Sequence, residues 1–337
     1  MPGDDLRTPL TPTREGELSD EPAAIALRLL LCDLPVDHSE AAAALGPKVI
    51  HALTGLGVLT GRGGAVQSRL HMRAVQGLYI FSDYLSHESG DAGAVMGAGE
   101  TTAVLYQAGR PAGRVHRALD LGCGAGTLAL LLAAQADEVV GTDINPRAVE
   151  LARFNASVNG IANVTFRAGD MYEPVRGERF DRILSQPPYY PTKRDVDTLT
   201  FLHAGERGDE LAMSVVAGAP DHLTAAGRAL VFTSWPEDRQ DISLAGHNVL
   251  ELHTDRREVH GTRQSIIVIE RAEPGWTASR EVAADCWGFV HNWRIDQLIS
   301  GESLVQCGEP VPALRLTDGV VPHREGSDCF STAPASR

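Results

Sequence analysis

The segment Arg117-Ala118-Leu119-Asp120-Leu121 runs without a break into Gly122-Cys123-Gly124-Ala125-Gly126-Thr127, and a run of small residues and leucines follows. No other stretch narrows the choice of fold so far. An apolar strand that turns on alternating glycines into a helix start brings main chain, rather than side chain, up to a ligand. Glycine accepts positive φ, and the helix N-terminus offers free N–H groups to an anion. A dinucleotide fingerprint needs G-x-G-x-x-G, with its third glycine where Thr127 stands, so the G-x-G-x-G spacing found here disfavours NAD.

Around this turn the chain alternates apolar strands with helical periodicity. Strands are expected at 117–121, 138–142, 164–168, 182–184, 228–233, 248–253 and 265–270, and helices at 127–136 and 146–159. Such alternation specifies an α/β fold with a doubly wound, Rossmann-like parallel sheet. Upstream, 23–31, 39–45 and 48–55 read as three helices. Alternating runs at 66–72 and 77–81 read as a hairpin, set off from those helices by the turn Gly61-Arg62-Gly63-Gly64. Three helices and a hairpin make a small winged-helix-like domain. The expected division is a disordered tail at 1–21, the winged-helix-like domain at 22–83, a linker and helix at 84–110, the ligand-binding domain at 111–272 and a C-terminal appendage at 273–337. The tail holds three prolines and six acidic residues among few large apolar ones, too little to offset its ordering entropy.

Charge and cysteine usage set the cellular context. With 30 Lys+Arg against 44 Asp+Glu the formal charge is -14, a field that repels phosphate polymers. The third helix carries Lys48 and His51 but no arginine, so nucleic acid is disfavoured as a partner. Five scattered cysteines without a C-x-x-C pair fit a reducing compartment. The apolar stretch 23–31 is broken by Arg28 and suits neither a signal peptide nor a membrane span, so the expected location is cytoplasmic. Cys286, His291, Cys307, His323 and Cys329 match no zinc module, and no metal is expected. The winged-helix-like front end favours a homodimer.

Three acids follow the expected strands in order. Asp120 precedes the first glycine by two residues and faces an ammonium group; Asp143, in Gly141-Thr142-Asp143-Ile144-Asn145-Pro146, stands where an acid reaches two ribose hydroxyls. Asp170, in Gly169-Asp170-Met171, accepts from an adenine amino group while the neighbouring backbone N–H donates to the ring. Partners for an amine, a ribose and an adenine, in that order, describe S-adenosylmethionine. From about residue 97 to residue 272 the chain resembles the class I S-adenosylmethionine-dependent methyltransferases, an enzyme family with a seven-stranded sheet. The resemblance implies a cofactor site at Asp120, Gly122, Gly124, Gly126, Asp143, Ile144, Asp170, Met171 and Gln186.

The strand at 180–185 delivers Gln186-Pro187-Pro188-Tyr189-Tyr190-Pro191 to the carboxyl edge of the sheet, where ligands of open α/β sheets bind. Two prolines stiffen the loop, Gln186 and the backbone around Pro187 supply acceptor oxygens, and Tyr189 offers a face on which a planar N–H group stacks. The loop resembles the Asn-Pro-Pro-Tyr motif of amino-methyltransferases that act on release-factor glutamine, adenine N6 or guanine N2, and 143–148 is similar to the glutamine branch. The departure is Gln186 in place of asparagine. Gln186, Pro187 and Tyr189 are therefore the catalytic candidates, and Tyr190, His203 and Glu206 the substrate candidates. Gly97-Ala98-Gly99-Glu100-Thr101-Thr102 reads as a helix N-cap region near the cofactor, where it either lies over the methionine end or, as the favoured reading, simply caps the helix at 101–107. The expected function is transfer of a methyl group to a planar nitrogen of a small molecule, such as an amino acid or guanidine in specialised metabolism. The alternatives are a protein glutamine N5-methyltransferase and, behind it, a nucleic-acid base methyltransferase.

Overall fold

The computed structural model describes residues 22–32, 34–83, 93–191, 204–236, 242–257, 262–273, 275–282 and 295–296, with two short strands at 304–306 and 309–311. The expected tail, His203, and the five cysteines and histidines weighed as metal ligands lie outside these residues.

The front of the chain folds as α1 (Pro22–Leu30), β1 (Val36–Asp37), α2 (His38–Leu45), α3 (Pro47–Gly55), β2 (Leu59–Arg62) and β3 (Ala65–Ser68). The strands form a sheet of order β1-β3-β2. Ile25, Leu29, Val36, Ile50, Leu59 and Val66 make its core. Asp37 caps α2 by accepting from Ser39 and Glu40 N–H, and Pro47 starts α3 where its missing N–H costs nothing. The hairpin differs from the sequence reading. Gly63 and Gly64 turn inside the pair β2–β3, and the run expected at 66–72 breaks at Arg69 into β3 and β4 (Leu70–Val75), which pairs with β5 (Leu78–Asp83). Ser68 makes the break: its hydroxyl donates to the Leu70 carbonyl at 2.6 Å, while Arg69 N–H turns away to Val58 O at 2.8 Å. Period-2 alternation continues across such a break, so it leaves no mark in the sequence.

The core then runs through α4 (Glu100–Gly109), β6 (Val115–Leu121), α5 (Thr127–Leu132), β7 (Ala136–Asp143), α6 (Pro146–Val158), β8 (Val164–Ala168), β9 (Phe180–Ser185), α7 (Glu210–His222), β10 (Leu223–Pro236), β11 (His247–Arg257), β12 (Thr262–Arg271) and β13 (Thr277–Val282). Among the described residues the central sheet has the order β13-β11-β12-β10-β9-β6-β7-β8. The five strands from β10 to β8 are parallel; β12 lies antiparallel to both β10 and β11. This is the α/β sheet that the alternation specified, with an eighth strand, β13, drawn from beyond residue 272 and parallel to β11. Helix α5 is shorter than expected because Gln135 N–H closes a turn on Leu132 O at 2.8 Å and Ala136 already starts β7. All six residues of α5 are buried, as a helix sandwiched under a parallel sheet requires.

Strand order decides where a site can form. After β6 the chain adds β7 and β8 on one side, then crosses to the other side for β9 and β10. The carboxyl ends of β6 and β9 therefore flank the point where the winding reverses, the crevice in which open α/β sheets bind ligands.

Candidate active site

Register carries distant motifs to one row. Leu121 pairs with Thr142 on one side and with Ser185 on the other, and Asp143 pairs with Ala168. Ser185 Oγ donates to Leu121 O at 2.8 Å and ties the two loops together at their roots. Gly122 and Gln186, the residues that follow Leu121 and Ser185, thus leave the sheet side by side, roughly 5 Å apart as neighbouring strands are.

The glycine turn is built for close approach. Gly122 sits at φ 78° with nothing within 4 Å of where a Cβ would stand, so its Cα faces open space. At Gly126, φ 83°, a Cβ would lie 2.9 Å from Ala152 Cβ and 3.1 Å from the Phe166 ring, so this glycine lets the turn pack on α6. Cys123 between them is buried and its thiol is pushed well up by that burial, with Asp120 and Asp143 adding to it, so it fills space and is no nucleophile.

Asp120 lies beneath the turn, 1% exposed. Its Oδ2 accepts from Ala129 N–H at 2.8 Å, and Oδ1 is buried without a hydrogen-bond partner among the described residues. Desolvation, against the Ala129 bond and with the charge of Asp143 adding, pushes its carboxyl up to about 7. Asp143 is also raised by burial, but two backbone donors hold it back: Gly124 N–H at 2.8 Å and Asn145 N–H at 2.9 Å. Each of its oxygens keeps a free lone pair. Ile144 beside it is 59% exposed, an apolar surface at the mouth of the crevice. Asp170 is exposed, and Met171 is half-buried at φ 45°, a left-handed conformation that a non-glycine residue adopts only where its surroundings hold it.

Across the crevice, Pro187 is buried, and Gln186 and Tyr189 are half-buried. The Tyr189 ring stands 6.0 Å from Phe232 and 5.2 Å from Tyr190, which is 46% exposed. The loop before α7 closes on this one: a Cβ at Gly208 would meet Tyr189 O and Pro191 at 3.0 Å. Glu206 is exposed there. Glu210 accepts from Arg207 N–H at 3.1 Å and Gly208 N–H at 3.0 Å, and Asp209 pairs with Arg207, so these two acids secure the start of α7.

Two features of the site have no counterpart in the motifs. Thr101 and Thr102, in the first turn of α4, hold the Gln186 carboxamide: Nε2 donates to Thr101 Oγ1 at 2.7 Å, and Thr102 Oγ1 donates to Oε1 at 3.3 Å. Read as sequence, they belong to a helix-capping stretch near the cofactor, with nothing to link them to Gln186. Asn155 of α6, fully buried, donates from Nδ2 to Ala125 O in the glycine turn and to Phe81 O in β5, both at 2.9 Å. Its signal is an asparagine on the otherwise apolar buried face of an amphipathic helix, which a periodicity count discards.

The model of the methyltransferase small domain matches residues 100–242. A release factor glutamine methyltransferase of Xylella fastidiosa is 36% identical over 132 residues, 36% of this chain and 48% of the relative. One from Geobacter sulfurreducens is 34% identical over 143 residues, 39% of this chain and 50% of the relative. The chain spans about half the length of these curated relatives. A solved methyltransferase from Pyrococcus furiosus is 22% identical, with a TM-score of 0.38 over 59% of this chain and 91% of that one. These matches overturn the expected small-molecule partner, because the relatives are named for action on a release factor, which is a protein. Among the described residues no helix is long and apolar enough to cross a membrane.

Proposed function

We propose that this chain, whose residues 100–242 carry a class I S-adenosylmethionine-dependent methyltransferase domain of the glutamine N5 branch, methylates the side-chain amide of a glutamine in a protein, with a release factor as the acceptor to test first. One observation supports the reading above the rest. The glycine turn and the Gln186 loop leave paired residues, Leu121 and Ser185, at the point where the sheet reverses.

The residues fit the cofactor. Gly122 leaves its Cα uncovered, and the partnerless Oδ1 of Asp120 suits an ammonium group. The two spare lone pairs of Asp143 suit a ribose diol. Asp170 and Met171 suit an adenine edge, and Ile144 supplies apolar surface to its ring. When bound, the cofactor supplies an electrophilic sulfonium methyl. The chain's own task is alignment. Gln186 Oε1 and the carbonyl beside Pro187 take N–H bonds from the acceptor amide, and Tyr189 lies against its plane, which aims the nitrogen lone pair. Holding a weak nucleophile in attack geometry replaces a strong base as the main source of rate. As the nitrogen gains the methyl group and the methyl–sulfur bond breaks, the nitrogen would give up one N–H proton, which leaves to solvent by way of the oxygens that hold it. Tyr190 and Glu206 line the outer rim, where a peptide segment enters.

The test is incubation of a purified release factor with this protein and methyl-labelled S-adenosylmethionine. One methyl group on a glutamine side chain is expected, and label on another residue type would exclude the reading. Gln186→Ala and Tyr189→Ala are each expected to lower kcat by about 10²- to 10³-fold while S-adenosylhomocysteine still binds. Retained turnover in both would move the acceptor site elsewhere.

A further inference from the structure

The geometry points to Thr101 and Thr102 as positioning residues that fix which way the Gln186 carboxamide faces, and so set the one acceptor and one donor that it presents to the group to be methylated. This rests on the glutamine reading above. The carboxamide oxygen and nitrogen are nearly the same size, so only their hydrogen-bond partners decide the orientation. Thr102 Oγ1 already accepts from Gly99 N–H at 3.3 Å, which directs its own proton to Gln186 Oε1. Thr101 Oγ1 receives an Nε2 proton at 2.7 Å. In the opposite orientation the Thr102 proton would face an NH₂ group.

A carboxamide has two acceptor lone pairs on oxygen and two protons on nitrogen. The threonines take one of each. What remains is one acceptor lone pair on oxygen and one proton on nitrogen, which suit a substrate group that carries both a donor and an acceptor, as another primary carboxamide does. An ammonium group has no acceptor to offer, and a carboxylate has no donor. Two residues far away in sequence also account for the glutamine at this position. The additional methylene, compared with asparagine, carries the carboxamide to the first turn of α4, whose residue Thr102 is buried. A shorter side chain falls short of Thr101 by about one carbon–carbon bond.

The experiment is a double-mutant cycle with a release factor as methyl acceptor. Thr101→Val is expected to lower kcat/KM by about five- to tenfold, the usual worth of one hydrogen bond. Thr101→Ser keeps the hydroxyl and is expected to stay within about twofold of wild type, the margin that one retained hydrogen bond allows. In a Gln186→Asn background, Thr101→Val is expected to add no further loss, because the partner no longer reaches. S-adenosylhomocysteine affinity is expected to be unchanged in Thr101→Val and Thr101→Ser. Equal kcat/KM in Thr101→Val and wild type overturns the inference, as does a Ser variant as impaired as Val or a full Val effect in the Asn background. A wild-type protein that binds the cofactor product yet methylates no glutamine overturns the glutamine reading itself, and the inference with it.

Discussion

Asp120 and Asp143 are both acids buried under one glycine turn, and they differ in what receives their charge. Asp143 has a backbone donor on each oxygen, while Asp120 has one donor and one partnerless oxygen, and its carboxyl rises to about 7. An acid whose folded pKa lies above its unfolded value costs nothing below the unfolded pKa, and its ionisation opposes folding increasingly as pH rises towards the folded pKa. The penalty for Asp120 is absent below about pH 4 and complete above about pH 7, on the order of 4 kcal/mol. An ammonium partner reverses the balance by stabilising the ionised form. S-adenosylhomocysteine affinity is therefore expected to fall by up to tenfold per pH unit below 7, and Asp120→Asn to flatten that profile while making the free protein more stable at pH 8. Calorimetric titrations at pH 6, 7 and 8 check this, and a flat wild-type profile would remove the ammonium from Asp120.

At the scale of elements, one helix face fastens the second hairpin to the glycine turn. Asn155 of α6 and Asn159, which caps its C-terminus, each take a backbone N–H and C=O from the free edge of β5, Asn155 at Phe81 and Asn159 at Tyr79, over 2.8 to 2.9 Å. Four helical residues rise about 6 Å and two strand residues about 6.8 Å, so asparagines one turn apart match alternate strand residues. Around them, Arg147 pairs with Asp83, Asn145 Nδ2 donates to Gly93 O at 2.9 Å, and Arg73 donates to Ala98 O at 2.6 Å. Asn155→Ala leaves buried backbone groups of Phe81 and Ala125 without partners. It is expected to lower unfolding stability by roughly 2–4 kcal/mol and to weaken S-adenosylhomocysteine binding, whereas Asn159→Ala at the exposed end costs under about 1 kcal/mol. Urea denaturation of both variants decides it, and equal losses would show that Asn155 has no special link to the turn.

For the whole molecule, the glycine turn, α6 and β5 form one continuous hydrogen-bonded unit, so a ligand on the turn is expected to stabilise more than the turn. S-adenosylhomocysteine at 100 times its Kd should raise unfolding free energy by about 2.7 kcal/mol in a single transition. Asp143→Ala should abolish the shift, and an undiminished thermal shift in that variant would contradict the ribose assignment. Local patterns made much of this legible from the sequence: the strand, turn and helix around Gly122 lie within a few residues of one another, the alternation of the core is a local period, and Asp120, Asp143 and Asp170 each stand at or just past the end of an expected strand. The break at Arg69 and the strand at Thr277–Val282 were hidden, the first because alternation runs through it and the second because its segment has weak periodicity. The sequence by itself determined the α/β class and the glycine turn, because backbone conformation and hydrophobic period are properties of neighbouring residues. Only the tertiary structure decided that Gln186 stands beside Gly122, that threonines 84 and 85 residues away hold its carboxamide, and that Asn155 ties β5 to the turn. Those contacts depend on strand order and register, which are settled by the packing of the whole sheet.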